Sequence, residues 1–413
     1  MNLLHPSARV IDAATGETLT EDLIEAEAAA LAGEALVILP IETTVASIAR
    51  YLAALRLDKP VLLLDPDSGH NATLTERFSA ERLRAERVHP DLALLLTTSG
   101  STGNPKLVRL SRTGVLANAE QIADALRIDG DEVAITTLPL FYSFGLSVLH
   151  SHLVRGATVV LERTGIMQRD FWNAAIQHHV TSMAFVPSQY EMLRRLRFDP
   201  AKYPALRTLT QAGGRLRTDR VTEFADRMAT VGGHLHVMYG QAEAGPRMAT
   251  LPPERLADKL GSVGRALGGG RFTIEDDEVV YHGPNVMMGY AETAADLSKG
   301  DEQGGVLRTG DLGRLDDEGF LFLTGRLKRM AKVFGVRTNL DDVEKNFPVA
   351  AVAGDDKLVV FSVGASDEEA RSLRSKIAEW LGTHHTGVVV HSIEALPLLP
   401  NGKTDYRALE ASL

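Results

Sequence analysis

Apolar residues follow two rhythms along this chain. Short, mainly apolar runs recur at Ala35–Ile41, Pro60–Asp65, Leu92–Thr97, Val133–Thr136, Ala157–Leu161 and Met183–Val186, and the alternation continues with Thr208–Gln211 and Leu235–Met238. Stretches with helical spacing lie between them, Val45–Leu57 being the clearest. A short apolar run without polar alternation suits a strand buried on both faces. Such strands alternating with helices predict an α/β fold, with parallel or mixed sheets covered by helices.

Around Gly261 the rhythm changes to glycine-rich turns and short alternating runs, GSVGRALGGGRFTIEDDEVVYHGP and then GVLRTGDLGRLDDEGFLFLTGR. These predict hairpins in a small distorted barrel or sheet. From about Lys328 a separate small α+β unit is expected, with strands at Leu358–Val363 and Thr386–His391, a helix near Glu368–Leu381, and a tail after Pro400. The expected division is an N-terminal domain over 1–327 and a C-terminal domain over 328–413.

Charge and composition narrow the chemistry. The balance of 44 basic against 54 acidic residues gives a net charge of −10, which disfavours nucleic acid and anionic membranes as partners. Having no cysteine removes disulfides, zinc-thiolate sites and cysteine nucleophiles. The N-terminus MNLLHPSARVID lacks a basic stretch followed by an apolar one, and no apolar run approaches a membrane span. A cytoplasmic protein is expected.

Four segments carry candidate chemistry. In Leu96-Thr-Thr-Ser-Gly-Ser-Thr-Gly-Asn-Pro-Lys106, a buried strand runs into a Ser/Thr/Gly loop that ends in lysine. Glycines let backbone N–H groups converge, and hydroxyls and a cation add donors, so the loop suits a polyphosphate. It is not a Walker loop, because Pro105 stands where the second glycine belongs and Leu107 replaces the Ser/Thr metal ligand. Met238-Tyr-Gly-Gln-Ala-Glu243 offers a ring for a base and a hard oxygen for Mg²⁺. Leu307-Arg-Thr-Gly-Asp311 supplies a loop aspartate able to accept ribose hydroxyls, and Pro400-Asn-Gly-Lys-Thr-Asp405 presents Lys403 on a turn.

Taken in order, TTSGSTGNPK, YGQAE, RTGDL, GRLKRMAKVFGVR and PNGKTDYRAL resemble the motif series of the adenylate-forming enzymes, which include acyl-CoA synthetases, luciferases and peptide-synthetase adenylation domains. The resemblance runs from about Ala35 to Leu409. It implies ATP- and Mg²⁺-dependent activation of an acid as its acyl-adenylate, then transfer to a thiol of coenzyme A or of a carrier-protein phosphopantetheine. It places Thr98, Ser99, Gly100, Ser101, Thr102, Gly103 and Lys106 on the β- and γ-phosphates. Gly213, Gly214, Tyr239 and Gly240 would flank adenine, Glu243 would hold the metal, Asp311 would take the ribose, and Arg326 would make a second ribose contact or a phosphate contact. Lys403 matches the catalytic lysine between carboxylate and α-phosphate. Lys328 matches the hinge of a mobile C-terminal lid, whose swing would bring the Lys332–Arg337 face to the site.

The chain also departs from the family. Ala242 replaces the usual threonine of YGxTE, Leu107 replaces a glycine, and Tyr142 stands where histidine or another aromatic gates the acyl pocket. The chain is short for the family, in both the N-terminal part and the C-terminal unit, which leaves the acceptor open. The acyl pocket is expected to be lined by Tyr142, Phe144, Gly145, Val186, Ser188 and Ala212. No Phe-Asp pair for an α-amino group is found, so a neutral or aromatic acid is favoured. Arg215 and Arg247 are alternatives for a second carboxylate or another oxyanion, against their reading as surface arginines. His150 and His152 are read as helix residues, not metal ligands. Two rivals stand: transfer to an amine or other non-thiol acceptor, and a non-catalytic nucleotide-binding relative. Retention of Lys106, Glu243, Asp311, Arg326 and Lys403 favours the enzyme.

Overall fold

The mainly apolar runs form strands. The computed structural model describes residues 1, 3–83, 87–97, 106–327, 329–334, 336–400 and 402–413. Val37–Pro40, Val61–Leu64 and Leu92–Thr97 lie parallel, and Leu107–Ser111 and Gly289–Ala291 extend the sheet antiparallel. All four residues of Val61–Leu64 are buried, as a strand covered on both faces demands. An eight-stranded sheet has the order Arg9–Asp12, Thr158–Leu161, Val133–Ile135, Ser182–Phe185, Thr208–Gln211, His234–Tyr239, Ala249–Leu251 and Arg265–Ala266. It is parallel as far as His234–Tyr239 and antiparallel beyond.

Two of the helices begin where a side chain satisfies an unpaired N–H. Thr44 caps Val45–Arg56 by accepting from Ser47 N, and Ser111 caps Arg112–Leu126 by accepting from Gly114 N. The Ser143–Leu153 helix is buried along its whole length. His150 and His152 are buried on it, and burial pulls their imidazoles down to about 3 and about 4. His150 Nε2 meets the Tyr51 hydroxyl at 2.7 Å, which ties this helix to Val45–Arg56.

The described residues pack as two compact units, Met1–Arg271 with Tyr281–Leu307, and Phe272–Val280 with Arg308–Leu413. The division expected at 327/328 therefore falls inside the second unit. The glycine-rich region forms a four-stranded sheet of Arg271–Glu275, Glu278–His282, Val306–Leu315 and Leu321–Arg326. In the second unit, Ala350–Ala353, Leu358–Val363 and Val388–Ile393 pair beside the Asp367–Leu381 helix, around Val343, Leu358, Val360, Ile377 and Val388. The last strand starts two residues later than the sequence suggests, because His385–Gly387 form a 3-10 turn. Among the described residues no helix is long and apolar enough to cross a membrane.

Candidate active site

The Ser/Thr/Gly segment joins two antiparallel strands. Thr97 pairs with Leu107, so 98–106 span the gap between paired neighbours. A strand follows the segment where a P-loop would require a helix, in agreement with the loss of the Walker pattern. Thr98, Ser99, Gly100, Ser101, Thr102 and Gly103 lie outside the described residues, as does Lys328.

Lys106 is the first described residue after the segment. Its Nζ pairs with Glu292 Oε1 at 2.6 Å and sits 6.0 Å from the centre of the Tyr290 ring. The Tyr290 hydroxyl donates to Glu243 Oε1 at 3.0 Å. Burial, and then the adjacent Glu243 charge, push the Tyr290 phenol above its ordinary value, so it remains a donor. Lys106 and Glu243 are thus brought together around Tyr290 and Glu292, neither of which sequence reasoning singled out. Their placement follows from pairing of Gly289–Ala291 with Leu107–Ser111, Tyr290 opposite Val108. The signal available was a tyrosine standing alone beside the apolar Val286-Met-Met288 run.

Tyr239 is buried at the end of the His234–Tyr239 strand, and its carbonyl accepts from Met248 N at 2.8 Å. This return of the chain explains Gly240, where a Cβ would stand 1.8 Å from the Pro246 carbonyl oxygen. Glu243 follows within the Ala242–Ala244 3-10 turn, half-buried. Gln211 holds the next segment by donating from Nε2 to Gly214 O at 2.7 Å. Gly213 has φ +80°, and a Cβ there would lie 2.5 Å from Tyr142 Oη and 3.0 Å from Val186 Cγ1.

Tyr142 is packed against an apolar cluster that contains Phe144, Val186, Ala212 and Met238. Its ring meets Phe144 edge-on at 6.3 Å. Four of the expected pocket residues are therefore together. Ser188 opens the neighbouring Pro187–Arg195 helix, half-buried. Gly145 shares the helix of Phe144, but the Pro139 carbonyl fills its side-chain direction, so it contributes close packing there. Arg215 is exposed. The surface reading fails for Arg247, which is only 2% exposed because its chain turns inward after Gly245 and Pro246. Its guanidinium stacks 4.7 Å from the Phe144 ring centre, and burial pulls it down to about 9.

In the second unit Asp311 and Arg326 are cross-strand partners, with Arg326 Nε donating to Asp311 Oδ1 at 2.9 Å. Asp311 is buried and Arg326 exposed. Lys403 is half-buried on a turn in which Leu399 N donates to the Lys403 carbonyl at 2.8 Å. Asp405 then caps the Tyr406–Ala411 helix. That helix is anchored through Arg329, which stacks 4.0 Å from the Tyr406 ring and pairs with Asp341 and Glu344.

The family model for AMP-binding enzymes matches residues 12–291. The chain belongs to this family. It is 34% identical over 274 residues to an indoleacetate–CoA ligase of Aromatoleum aromaticum, covering 62% of this chain and 52% of that protein. It is 30% identical over 330 residues to a 2-succinylbenzoate–CoA ligase of Bacillus subtilis, covering 76% of this chain and 61% of that one. The chain thus spans about half the length of the first of these curated relatives and under two thirds of the second. The structure of o-succinylbenzoate CoA synthetase from Bacillus subtilis with its acyl-adenylate superposes with a TM-score of 0.78 at 23% identity, over 97% of this chain and 94% of that one, which shows a shared fold.

Proposed function

We propose that this chain is an AMP-forming acid–thiol ligase: it joins an organic acid to ATP as an acyl-adenylate, releases pyrophosphate, and passes the acyl group to a thiol. The observation that supports this most is the meeting of Lys106 and Glu243 around Tyr290, in a chain of the AMP-binding enzyme family. The related indoleacetate and succinylbenzoate enzymes are CoA ligases by name, which favours coenzyme A over a carrier protein as acceptor. A cytoplasmic setting is part of this reading.

The roles follow from charge. A carboxylate attacking a phosphate brings two anions together, so fixed cations must stabilise the transition state. Lys403 is assigned to the reacting carboxylate and α-phosphate, and Lys106 with the 98–103 hydroxyls and amides to the departing pyrophosphate. Lys106 and Glu292 are each about half exposed, so their pair is worth at most about 1 kcal/mol, and a phosphate can displace Glu292. Gly213, Gly214, Tyr239 and Gly240 are assigned to the adenine, Asp311 and Arg326 to the ribose. Phe144, Val186 and Ala212 with Tyr142 form the wall for the acyl group, Gly145 and Ser188 adjoining it. Lys328 is the proposed hinge of a lid domain spanning 328–413.

Glu243 fits a magnesium site. Magnesium is commonly held by one or two carboxylates with substrate phosphates, and the described residues hold no cluster of three or more His, Asp or Glu that would make a closed cage. Tyr290 orients Glu243 through Oε1, while Oε2 has no hydrogen-bond partner among the described residues. Bound there, the ion would neutralise phosphate charge.

The test is pyrophosphate release from ATP and Mg²⁺ across aryl, fatty, small and amino acids, followed by thioester formation with coenzyme A. One acid class should stimulate release, and Lys403→Ala should lower it by roughly 10²–10³-fold. Release indifferent to every acid, or unchanged by Lys403→Ala, refutes the assignment. Release without thioester, but with hydroxamate when hydroxylamine is supplied, would show that the adenylate forms and that coenzyme A is not its acceptor.

A further inference from the structure

Arg247 is a buried cation. Among the described residues no carboxylate comes within ion-pair distance of it. Its Nε donates to Ser147 Oγ at 3.0 Å, and its Nη1 reaches only the Met238 thioether sulfur, a weak acceptor, at 3.2 Å. No described residue accepts from Nη2. The other buried arginine among the described residues, Arg109, and the half-buried Arg329 are treated differently. Arg109 donates to the carbonyls of Met288, Tyr290, Lys299 and Gly300 and pairs with Glu302. Arg329 pairs with Asp341 and Glu344.

The guanidinium is not needed to hold its own loop. Asn118 does that, accepting from Arg247 N at 3.4 Å and donating to Arg247 O at 2.7 Å, and Asn285 donates to the Ala244 carbonyl nearby. The arginine side chain instead runs to Phe144 and Met238, two members of the cluster assigned to the acyl group. Burying an unpaired charge is costly, so an arginine kept in such a place asks for an anion that the described residues do not supply.

We propose that Arg247 selects an acid that carries a second carboxylate or equivalent oxyanion at the end remote from the reacting carboxyl. This deepens the proposed function and rests on its placing of the acyl group beside Phe144. A planar guanidinium offers two parallel N–H donors to a carboxylate, whereas a methyl or phenyl end leaves them unpaired. The penalty for the mismatched acid is therefore built into the free enzyme.

The experiment uses matched acids that differ at the far end: butyrate with succinate, hexanoate with adipate, and 4-methylbenzoate with terephthalate. Pyrophosphate release is measured on the native chain and on Arg247→Met, and the unfolding midpoint of each protein is followed with and without each acid. The native chain should prefer at least one diacid, and Arg247→Met should lower its kcat/KM roughly 100-fold while sparing or raising that of the monoacid. Arg247→Met should fold with a midpoint without acid no lower than the native one, because it removes a costly buried charge. A native preference for every monoacid, or equal losses on both members of each pair, overturns the proposal. If no acid gives pyrophosphate, the proposed function fails, and stabilisation by a diacid that Arg247→Met abolishes still upholds the selectivity. With neither release nor such stabilisation, both fall.

Discussion

The two neighbouring glycines assigned to the adenine site should respond very differently to one methyl group. Gly213 has φ +80°, a conformation that costs an alanine roughly 1–2 kcal/mol. Its added Cβ would also lie 2.5 Å from Oη of the partly buried Tyr142 and 3.0 Å from Cγ1 of the buried Val186, so both neighbours must move. The Tyr142 ring is wedged against Phe144 and cannot swing aside freely, and overpacking of this kind costs about 1–3 kcal/mol. Gly213→Ala is therefore expected to lose about 2–5 kcal/mol. Gly214→Ala meets only Pro187 Cγ at 3.3 Å and Cδ at 3.5 Å, without positive φ, and should cost less than about 1 kcal/mol. Thermal and urea unfolding of both variants measure the difference. A third variant isolates the clash: Gly213→Ala with Tyr142→Phe removes the 2.5 Å neighbour and should recover about 1 kcal/mol or more, while the backbone cost persists. Equal stability of the two alanine variants, or no recovery with Tyr142→Phe, would refute the packing described here.

Two further outcomes are expected. His150, His152 and His236 are held by burial at about 3, about 4 and about 4, well below the ordinary 6.5. They are neutral when folded and protonated when unfolded, so stability is full above about pH 6.5 and is lost as pH falls toward 4, by about 1.4 kcal/mol per pH unit per histidine. A midpoint that stays level from pH 7 to 5 contradicts this, and His150→Gln should reduce the slope. In the second unit, Arg329→Met leaves Asp341 and Glu344 facing each other without their cation and frees the Tyr406 ring, at a cost of about 3 kcal/mol. Limited proteolysis should then cut near the Tyr406–Ala411 helix first, and indifference to the substitution would show that the network does not anchor it.

What the sequence disclosed and what it hid divide along one physical line. Val61–Leu64 and Leu92–Thr97 were legible because a run of leucines and valines has one cheap environment, a sheet covered on both faces. Asp311 and Arg326 were legible through their motifs, and antiparallel pairing makes them neighbours. Leu107–Ser111 was hidden because Arg109 interrupts it, and an arginine normally signals a surface. Here that guanidinium is buried, and the carbonyls and carboxylate that satisfy it come from 288–302, far along the chain. Tyr290 and Glu292 were hidden for the same reason, since only the pairing of Gly289–Ala291 with Leu107–Ser111 sets them beside Lys106. A buried charge is explained by its partner, and a remote partner leaves no local trace. Arg247 extends that rule one step further: its neighbours Ser147, Met238 and Phe144 account for its body but not for its charge. Where no described residue supplies the compensating anion, that part falls to the substrate we propose.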